Sequence, residues 1–114
     1  MESLELAELT AELALTKKAK DVVILDLRGL SDVTNFFVIC TGESDTQVKA
    51  IADAIDDGAR EQDARVWHRE GLTNLQWALL DFVDVVVHIF QPKVREYYDI
   101  ERLWGDAPRT IVKD

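Results

Sequence analysis

Apolar residues recur at helical spacing in two stretches of the chain. Three leucines share one side of a predicted helix over residues 3–19, and the same three- and four-residue spacing recurs over 44–62. Ser44 begins the second stretch and, with the glutamine three residues later, forms an S-x-x-Q capping box. The second predicted helix would bury the stripe made by Val48, Ile51, Ala52, Ile55 and Ala59.

Shorter apolar runs predict five strands, at 22–27, 35–41, 65–68, 75–82 and 84–90. The first run is nearly all apolar, as expected of a strand that is covered on both faces. The last two runs follow each other so closely that they predict a hairpin, turning near Val83.

The last part of the chain predicts short helices. Pro92 can occupy the first position of a helix, and an apolar patch at 100–104 ends at Gly105. The order of elements is that of an α/β (α+β) domain with a mixed five-stranded sheet flanked by helices. This domain is expected to span residues 1–108, followed by a short C-terminal tail at 109–114.

Composition and charge narrow the choice of partners. The 114 residues carry a formal net charge of −9, which disfavours a nucleic acid and favours a basic protein surface, although negative charge also simply aids solubility. Residues 43–63 hold seven acids against Lys49 and Arg60, which we interpret as a solvated helix face. Three features predict a cytoplasmic protein without a membrane segment. Cys40 is the only cysteine, the chain starts with acidic residues, and no apolar run reaches the length of ~20 residues that a bilayer requires.

No residue pattern indicates a catalytic, metal or cofactor site. Cys40 lies within an apolar run, where cysteine usually acts as a small filler, and His68 and His88 lack the spacing of metal ligands. Gly42 and Ser44 stand between a strand and a helix, where phosphates often bind, but a turn and a helix cap explain both residues. A relic nucleotide-binding domain stays an alternative on this basis, whereas the net charge disfavours a direct RNA binder.

The region from 77 to 104 combines aromatic, arginine and histidine side chains. Strand alternation predicts that two sets of residues share faces: Trp77, Leu79 and Asp81 on the first strand, and Val86, His88 and Phe90 on the second. Protein interfaces concentrate tryptophan, tyrosine and arginine at their centres. From composition alone, a core and an interface explain this region equally well. Leu103 and Trp104 we interpret as core.

The same region carries a recognisable motif. Residues 77–104 resemble the iojap family of ribosomal silencing factors, whose pattern reads roughly W-x-x-x-D-[YF]-G-D-h-h-V-H-x-[FM] and then R-x-x-Y-x-L-E-x-L-W, where h is apolar. Further matches upstream are Ser31-Asp32, Asn35 to Ile39, Ser44, Gln47, Val48 and Ala50 at a helix start, and Glu70-Gly71. Together they run from about residue 5 to residue 108.

Three positions depart from the family pattern. Val83 stands where the family usually has glycine, and because a β-branched residue disfavours positive φ, the turn there is expected to be of a different type. Phe82 replaces the more common tyrosine, and Ile100 replaces a leucine. The first two changes bear on the local geometry beside Asp81.

The resemblance implies both a fold and a function. The fold would be similar to that of nucleotidyltransferases, without their catalytic carboxylates. Family members bind large-subunit ribosomal protein L-fourteen and sterically block the joining of the ribosomal subunits, which represses translation when nutrients are scarce, and free members are often homodimers. The chain is therefore expected not to be an enzyme, to need no cofactor or metal, and to bind neither nucleic acid directly nor a membrane.

The residues that match the family motifs and are expected to bind the partner are Trp77, Asp81, His88, Arg95, Tyr98 and Glu101. Trp77 and Tyr98 would supply buried aromatic contact. Asp81 and Glu101 would accept hydrogen bonds from lysine or arginine side chains. His88 would either form a hydrogen bond across the interface or stabilise the hairpin from within.

Overall fold

The computed structural model describes all residues, Met1–Asp114. Its elements in chain order are α1 Ser3–Leu15, β1 Lys20–Asp26, β2 Phe36–Thr41, α2 Asp45–Glu61, β3 His68–Glu70, β4 Trp77–Asp81, β5 Val85–Phe90, α3 Pro92–Tyr98, α4 Ile100–Leu103 and β6 Arg109–Val112. The predicted fold class, a mixed sheet flanked by helices, is confirmed. None of the helices is both long and apolar enough to cross a bilayer.

The sheet has six strands, in the order β3-β4-β5-β2-β1-β6, and only β2 and β5 run parallel to each other. The predicted count of five strands is therefore one too low. The segment that was expected to be a tail forms β6, which pairs with β1 so that Ile111 lies opposite Val23. β6 has only four residues, and its Arg109 and Thr110 are exposed, so its apolar pattern is weak. The open edge of β1, rather than the residues of β6 themselves, therefore sets the pairing.

The strand predicted at 65–68 is displaced along the chain. The observed β3 is His68–Glu70, and its residues pair with β4 although none of them is apolar. Trp67 joins the same edge through one backbone hydrogen bond, from its N–H to the carbonyl of Asp81. The register of this short edge strand thus follows the backbone of β4, which a search for apolar residues does not detect.

Helices α1 and α2 cover one face of the sheet. The five-residue stripe predicted for α2 is buried as expected, and Ser44 accepts a hydrogen bond from the backbone N–H of Gln47 at 3.1 Å, which confirms the helix cap. Helix α1 ends four residues before its predicted end because Lys18 adopts a left-handed conformation (φ 61°) and the N–H of Ala19 closes the helix on the carbonyl of Ala14.

Helices α3 and α4 cover only part of the opposite face. They pack over a second, smaller core formed by Val23, Leu25, Leu27, Ile39, Phe90, Ile100 and Ala107. Because the alternate residues Val22 and Ile24 enter the first core, β1 is covered on both faces, as predicted. No residue of α3 is fully buried, and on this side of the sheet Leu79 of β4 and Val86 of β5 stay half-buried.

Candidate functional site

The partly covered face of the sheet carries the predicted aromatic residues. Strand pairing places Trp77 opposite Phe90, Leu79 opposite His88 and Asp81 opposite Val86. Directly paired residues point to the same side of a sheet. The predicted alternation is thus confirmed, and both sets of residues share one face.

Trp77 is held from three sides. Its ring stacks on Phe90, with centroids 4.8 Å apart and planes 30° apart, and the ring of Tyr98 lies at the same centroid distance. Its indole Nε1 donates a hydrogen bond to Nδ1 of His88 at 3.1 Å. Although it is half-buried, Trp77 therefore has a fixed orientation, and one side of it still reaches the surface.

His88 is a buried, neutral side chain. Only 5% of it is exposed, and this burial lowers its pKa from 6.5 to about 4. Because Nδ1 accepts the hydrogen from Trp77, the proton of the neutral ring lies on Nε2, which is buried without a hydrogen-bond partner. Of the two roles expected for His88, this placement favours the internal one, since neither ring nitrogen is available at the surface.

An exposed aromatic patch continues from Trp77 along α3 and α4. Tyr98 is 51% exposed, Tyr97 81% and Leu103 78%. The interpretation of Leu103 as core is wrong, because the four-residue helix α4 buries only Ile100. Trp104 does pack inward, half-buried at 6.0 Å from the ring of Phe37.

A cleft opens between Trp77 and this patch. It encloses about 400 Å³ and is lined by Gly71, Thr73, Asn74, Gln76, Trp77, Val94 and Tyr98. None of these residues is charged, and two aromatic rings form its apolar wall. The cleft therefore suits an apolar or amphipathic side chain of a protein better than a charged small molecule.

The loop before β4 is shaped by one glycine. Gly71 has φ +76°, and a Cβ atom there would lie 1.9 Å from the carbonyl oxygen of Trp77. Only glycine allows this approach, so Gly71 sets one wall of the cleft. Glu70-Gly71 belongs to the family motif, but no spacing in the sequence connects Gly71 with Trp77.

Arg95 and Glu101 are occupied within the protein. Nε of Arg95 donates to Glu101 at 2.8 Å, and its Nη1 donates to the carbonyl of Asp21 and to Oγ1 of Thr41, both at 2.9 Å. The other oxygen of Glu101 accepts from Arg109 at 2.7 Å. These contacts fasten α3 and α4 to β1, β2 and β6, so the geometry assigns both residues a structural use.

The same contacts set the charge state of Glu101. Burial acts to raise its pKa, but the hydrogen bonds and positive charges of Arg95 and Arg109 outweigh burial and hold the pKa below its ordinary value. Glu101 is therefore ionised, and it is already paired with two arginines.

Asp81 shapes the hairpin between β4 and β5. Its Oδ1 accepts a hydrogen bond from the backbone N–H of Val83 at 2.7 Å. Val83 has φ +78°, whereas Asp84 has no positive φ. A positive φ at this position is unusual for a β-branched residue and favours glycine. Val83 nevertheless adopts it, because the side chain of Asp81 and the paired strands hold the turn.

The loop at 42–44 is closed to an anion. The N–H of Gly42 donates to the carbonyl of Phe90, and that of Glu43 donates to the side chain of Gln47 at 2.7 Å. The carboxylate of Glu43 forms an ion pair with Lys20. A Cβ atom at Gly42 would lie 2.9 Å from the side chain of Val48, so this glycine serves helix packing.

The remaining sequence candidates have structural explanations. Cys40 is fully buried, as expected of an apolar filler, and burial raises its pKa to about 12. No group of three or more histidine, cysteine, aspartate or glutamate side chains is arranged to hold a metal ion.

Most of the negative charge lies away from the aromatic face. Residues 1–19 hold four acids against two lysines, and residues 43–63 hold seven acids against two basic residues, which accounts for seven of the nine net negative charges. These segments contain α1 and α2, on the opposite side of the sheet. The aromatic face therefore lies apart from the segments that carry most of the net negative charge.

Comparison with known proteins gives consistent matches over the whole chain. A family model described as "Ribosomal silencing factor during starvation" matches residues 1–114. The "Ribosomal silencing factor RsfS" of Bacillus subtilis (strain 168) is 49% identical over 92 residues, covering 81% of this chain and 78% of that protein. The chloroplastic protein Iojap of Zea mays is 40% identical over 106 residues, covering 93% of this chain and 46% of that protein.

Solved structures share the fold. A crystal structure of a protein from Chromobacterium violaceum has a TM-score of 0.90 at 36% sequence identity and covers 100% of this chain and 95% of that chain. A second, from Bacillus halodurans, has a TM-score of 0.84 at 39% identity and covers 96% of this chain and 99% of that chain.

Proposed function

The chain belongs to the family of ribosomal silencing factors, and on this premise we propose that it represses translation by binding the large ribosomal subunit and blocking its association with the small subunit. The partner on the large subunit is ribosomal protein L-fourteen, as the resemblance to the iojap family implies. The action is steric: the bound domain occupies a surface that the small subunit needs. It involves no chemical reaction, cofactor or metal.

The observation that carries the proposal is the ordered but partly uncovered Trp77. A tryptophan fixed by a hydrogen bond and by two neighbouring rings has little conformational entropy to lose on binding. Tryptophan and tyrosine are also the residues that most often dominate the binding energy of protein interfaces. We therefore assign direct contact with the partner to Trp77 and Tyr98, together with the cleft between them.

The other four residues of the family motif act on this surface indirectly. Asp81 holds the hairpin turn, and Arg95 with Glu101 fastens the two short helices that present Tyr98. Their substitution would weaken binding by moving the surface rather than by removing a contact. The six motif residues, which the sequence alone does not divide, thus separate into residues that touch the partner and residues that hold the surface in place.

The structure gives no support to the nucleotide-binding alternative. The backbone N–H groups of Gly42 and Glu43 already donate to protein acceptors, and the Glu43 carboxylate would repel a phosphate. A direct RNA partner is opposed by the acidic helices α1 and α2.

A ribosomal partner also implies a location. We propose that the protein acts in the cytoplasm, where ribosomal subunits are found.

The family resemblance further implies that the free protein forms a homodimer. Light scattering coupled to size-exclusion chromatography would measure this directly. A mass of twice 12.9 kDa is expected, whereas a monomer at micromolar concentration would contradict this part of the proposal.

The test of the site is the affinity of variants for purified large ribosomal subunits. Trp77→Ala and Tyr98→Ala should each raise Kd at least about thirtyfold, since truncating an aromatic residue at an interface centre costs about 2 kcal/mol or more. Trp67→Ala is the matched control, because Trp67 is 72% exposed and has no contact with the rings around Trp77. Equal losses in all three variants, or no loss in the first two, would contradict the site assignment.

A further inference from the structure

We propose that His88 is a positioning residue: its Nδ1 fixes the indole of Trp77 in the orientation in which the ribosomal partner meets it, and His88 itself does not touch the partner. This inference rests on the proposed function. It replaces the two roles that the sequence left open with a single one, which acts through Trp77.

The geometry connects the two side chains directly. His88 faces Leu79 across the β4–β5 pair, one pair along from Trp77 and Phe90. From there its Nδ1 receives the indole N–H at 3.1 Å. The Phe37 ring lies 4.5 Å from the imidazole in an edge-to-face arrangement, so the imidazole has little freedom to turn. Nδ1 of His88 is thus a hydrogen-bond acceptor in a fixed position for the indole of Trp77.

The second ring nitrogen shows that stability alone does not explain a histidine here. Nε2 is buried without a partner, and a buried unsatisfied donor is unfavourable. A phenylalanine of similar shape would fill the same space without this defect, because Phe37, Phe90 and Ile39 already make the surroundings apolar. What phenylalanine cannot supply is the acceptor for Trp77.

The protonation state supports the same role. Nδ1 can accept a hydrogen bond only while it lacks a proton, and burial keeps His88 neutral at physiological pH by lowering its pKa to about 4. No charged side chain contributes to this lowering, which comes from desolvation alone. The acceptor is therefore available throughout the pH range in which ribosomes work.

The experiment is a double-mutant cycle on binding to purified large ribosomal subunits. His88→Phe removes the acceptor and keeps a ring, Trp77→Phe removes the donor and keeps a ring, and the double variant removes both. His68→Phe is the control, because His68 is exposed and pairs only with Glu70. Thermal unfolding of each variant reports stability separately from affinity, and the 15N shifts of the imidazole report whether Nε2 carries the proton in the wild type.

Three results are expected. His88→Phe should raise Kd roughly fivefold to tenfold, the range for loss of one hydrogen bond, without lowering the melting temperature. In the Trp77→Phe background the same substitution should change Kd less than twofold. The 15N shifts should show Nδ1 unprotonated and Nε2 protonated.

Two results would overturn the inference. One is wild-type affinity in His88→Phe while Trp77→Ala abolishes binding, which would leave the proposed function intact. The other is an equal loss of affinity from His88→Phe in both backgrounds, which would mean that His88 acts independently of Trp77. If Trp77→Ala itself has no effect, the proposed site fails instead, and the two failures are thus distinguishable.

Discussion

Acid should destabilise the protein through His88. Its pKa in the folded state is about 4, against an ordinary value of 6.5. Between these values the unfolded chain binds a proton at this residue and the folded protein does not, so the free energy of unfolding falls as the pH falls. At about 1.36 kcal/mol per pKa unit, the interval corresponds to roughly 3 kcal/mol. This stability is fully present above pH 6.5 and is progressively lost as the pH falls towards 4.

Urea unfolding of the wild type and of His88→Phe, repeated between pH 7 and pH 4, isolates this contribution. Phenylalanine cannot take up a proton, so the difference between the two proteins should shift by about 3 kcal/mol in favour of the variant across this range. Asp26 and Glu101 have lowered pKa values, so their contributions to the free energy of unfolding also fall in acid. These contributions are the same in both proteins and cancel in the difference. Parallel pH curves would refute the assignment of a buried, neutral His88.

Three further substitutions test the geometry around the site by thermal or urea unfolding. Val83→Gly should stabilise the protein by about 1 kcal/mol, because it relieves a β-branched residue at φ +78°; a loss of stability would contradict the assigned turn. Gly71→Ala should destabilise it by about 3 kcal/mol or more through contact with the Trp77 carbonyl, and wild-type stability would mean that the loop lies elsewhere. Glu101→Gln should cost about 2 kcal/mol by leaving Arg95 partly unpaired, and it should also weaken binding; an unchanged protein would show that this ion pair does not fasten α3 and α4.

The local elements could be predicted because their signals lie within a few residues of each other. Four predicted features depend on such short-range spacing: the stripe of α2, its cap at Ser44, the turn near Val83 and Pro92 at the start of α3. The structure confirms each of them. The shared face of Trp77 and His88 follows from strand alternation once the hairpin is given. The family motif added the partner class, which no spacing of residues could supply.

The features that could not be predicted depend on distant parts of the chain. β6 is a strand because β1 offers an open edge, and Leu103 is exposed although it stands three residues after the buried Ile100. Two side-chain contacts also depend on the folded molecule: the hydrogen bond from Trp77 to His88 and the ion pair of Arg95 with Glu101. Both require side-chain directions that the sequence does not show. A motif shows that such residues belong together, but it does not distinguish a residue that contacts the partner from one that holds the contacting residue in place.

An assay of subunit joining is the direct test of steric blockade through Trp77. Purified ribosomal subunits would be mixed under joining conditions with the wild-type protein, with Trp77→Ala or with the Trp67→Ala control, and separated on a sucrose gradient. The wild type and the control are expected to remain on the large subunit and to reduce the peak of joined ribosomes, while Trp77→Ala should do neither. A full peak of joined ribosomes with the wild-type protein bound to the large subunit would contradict it.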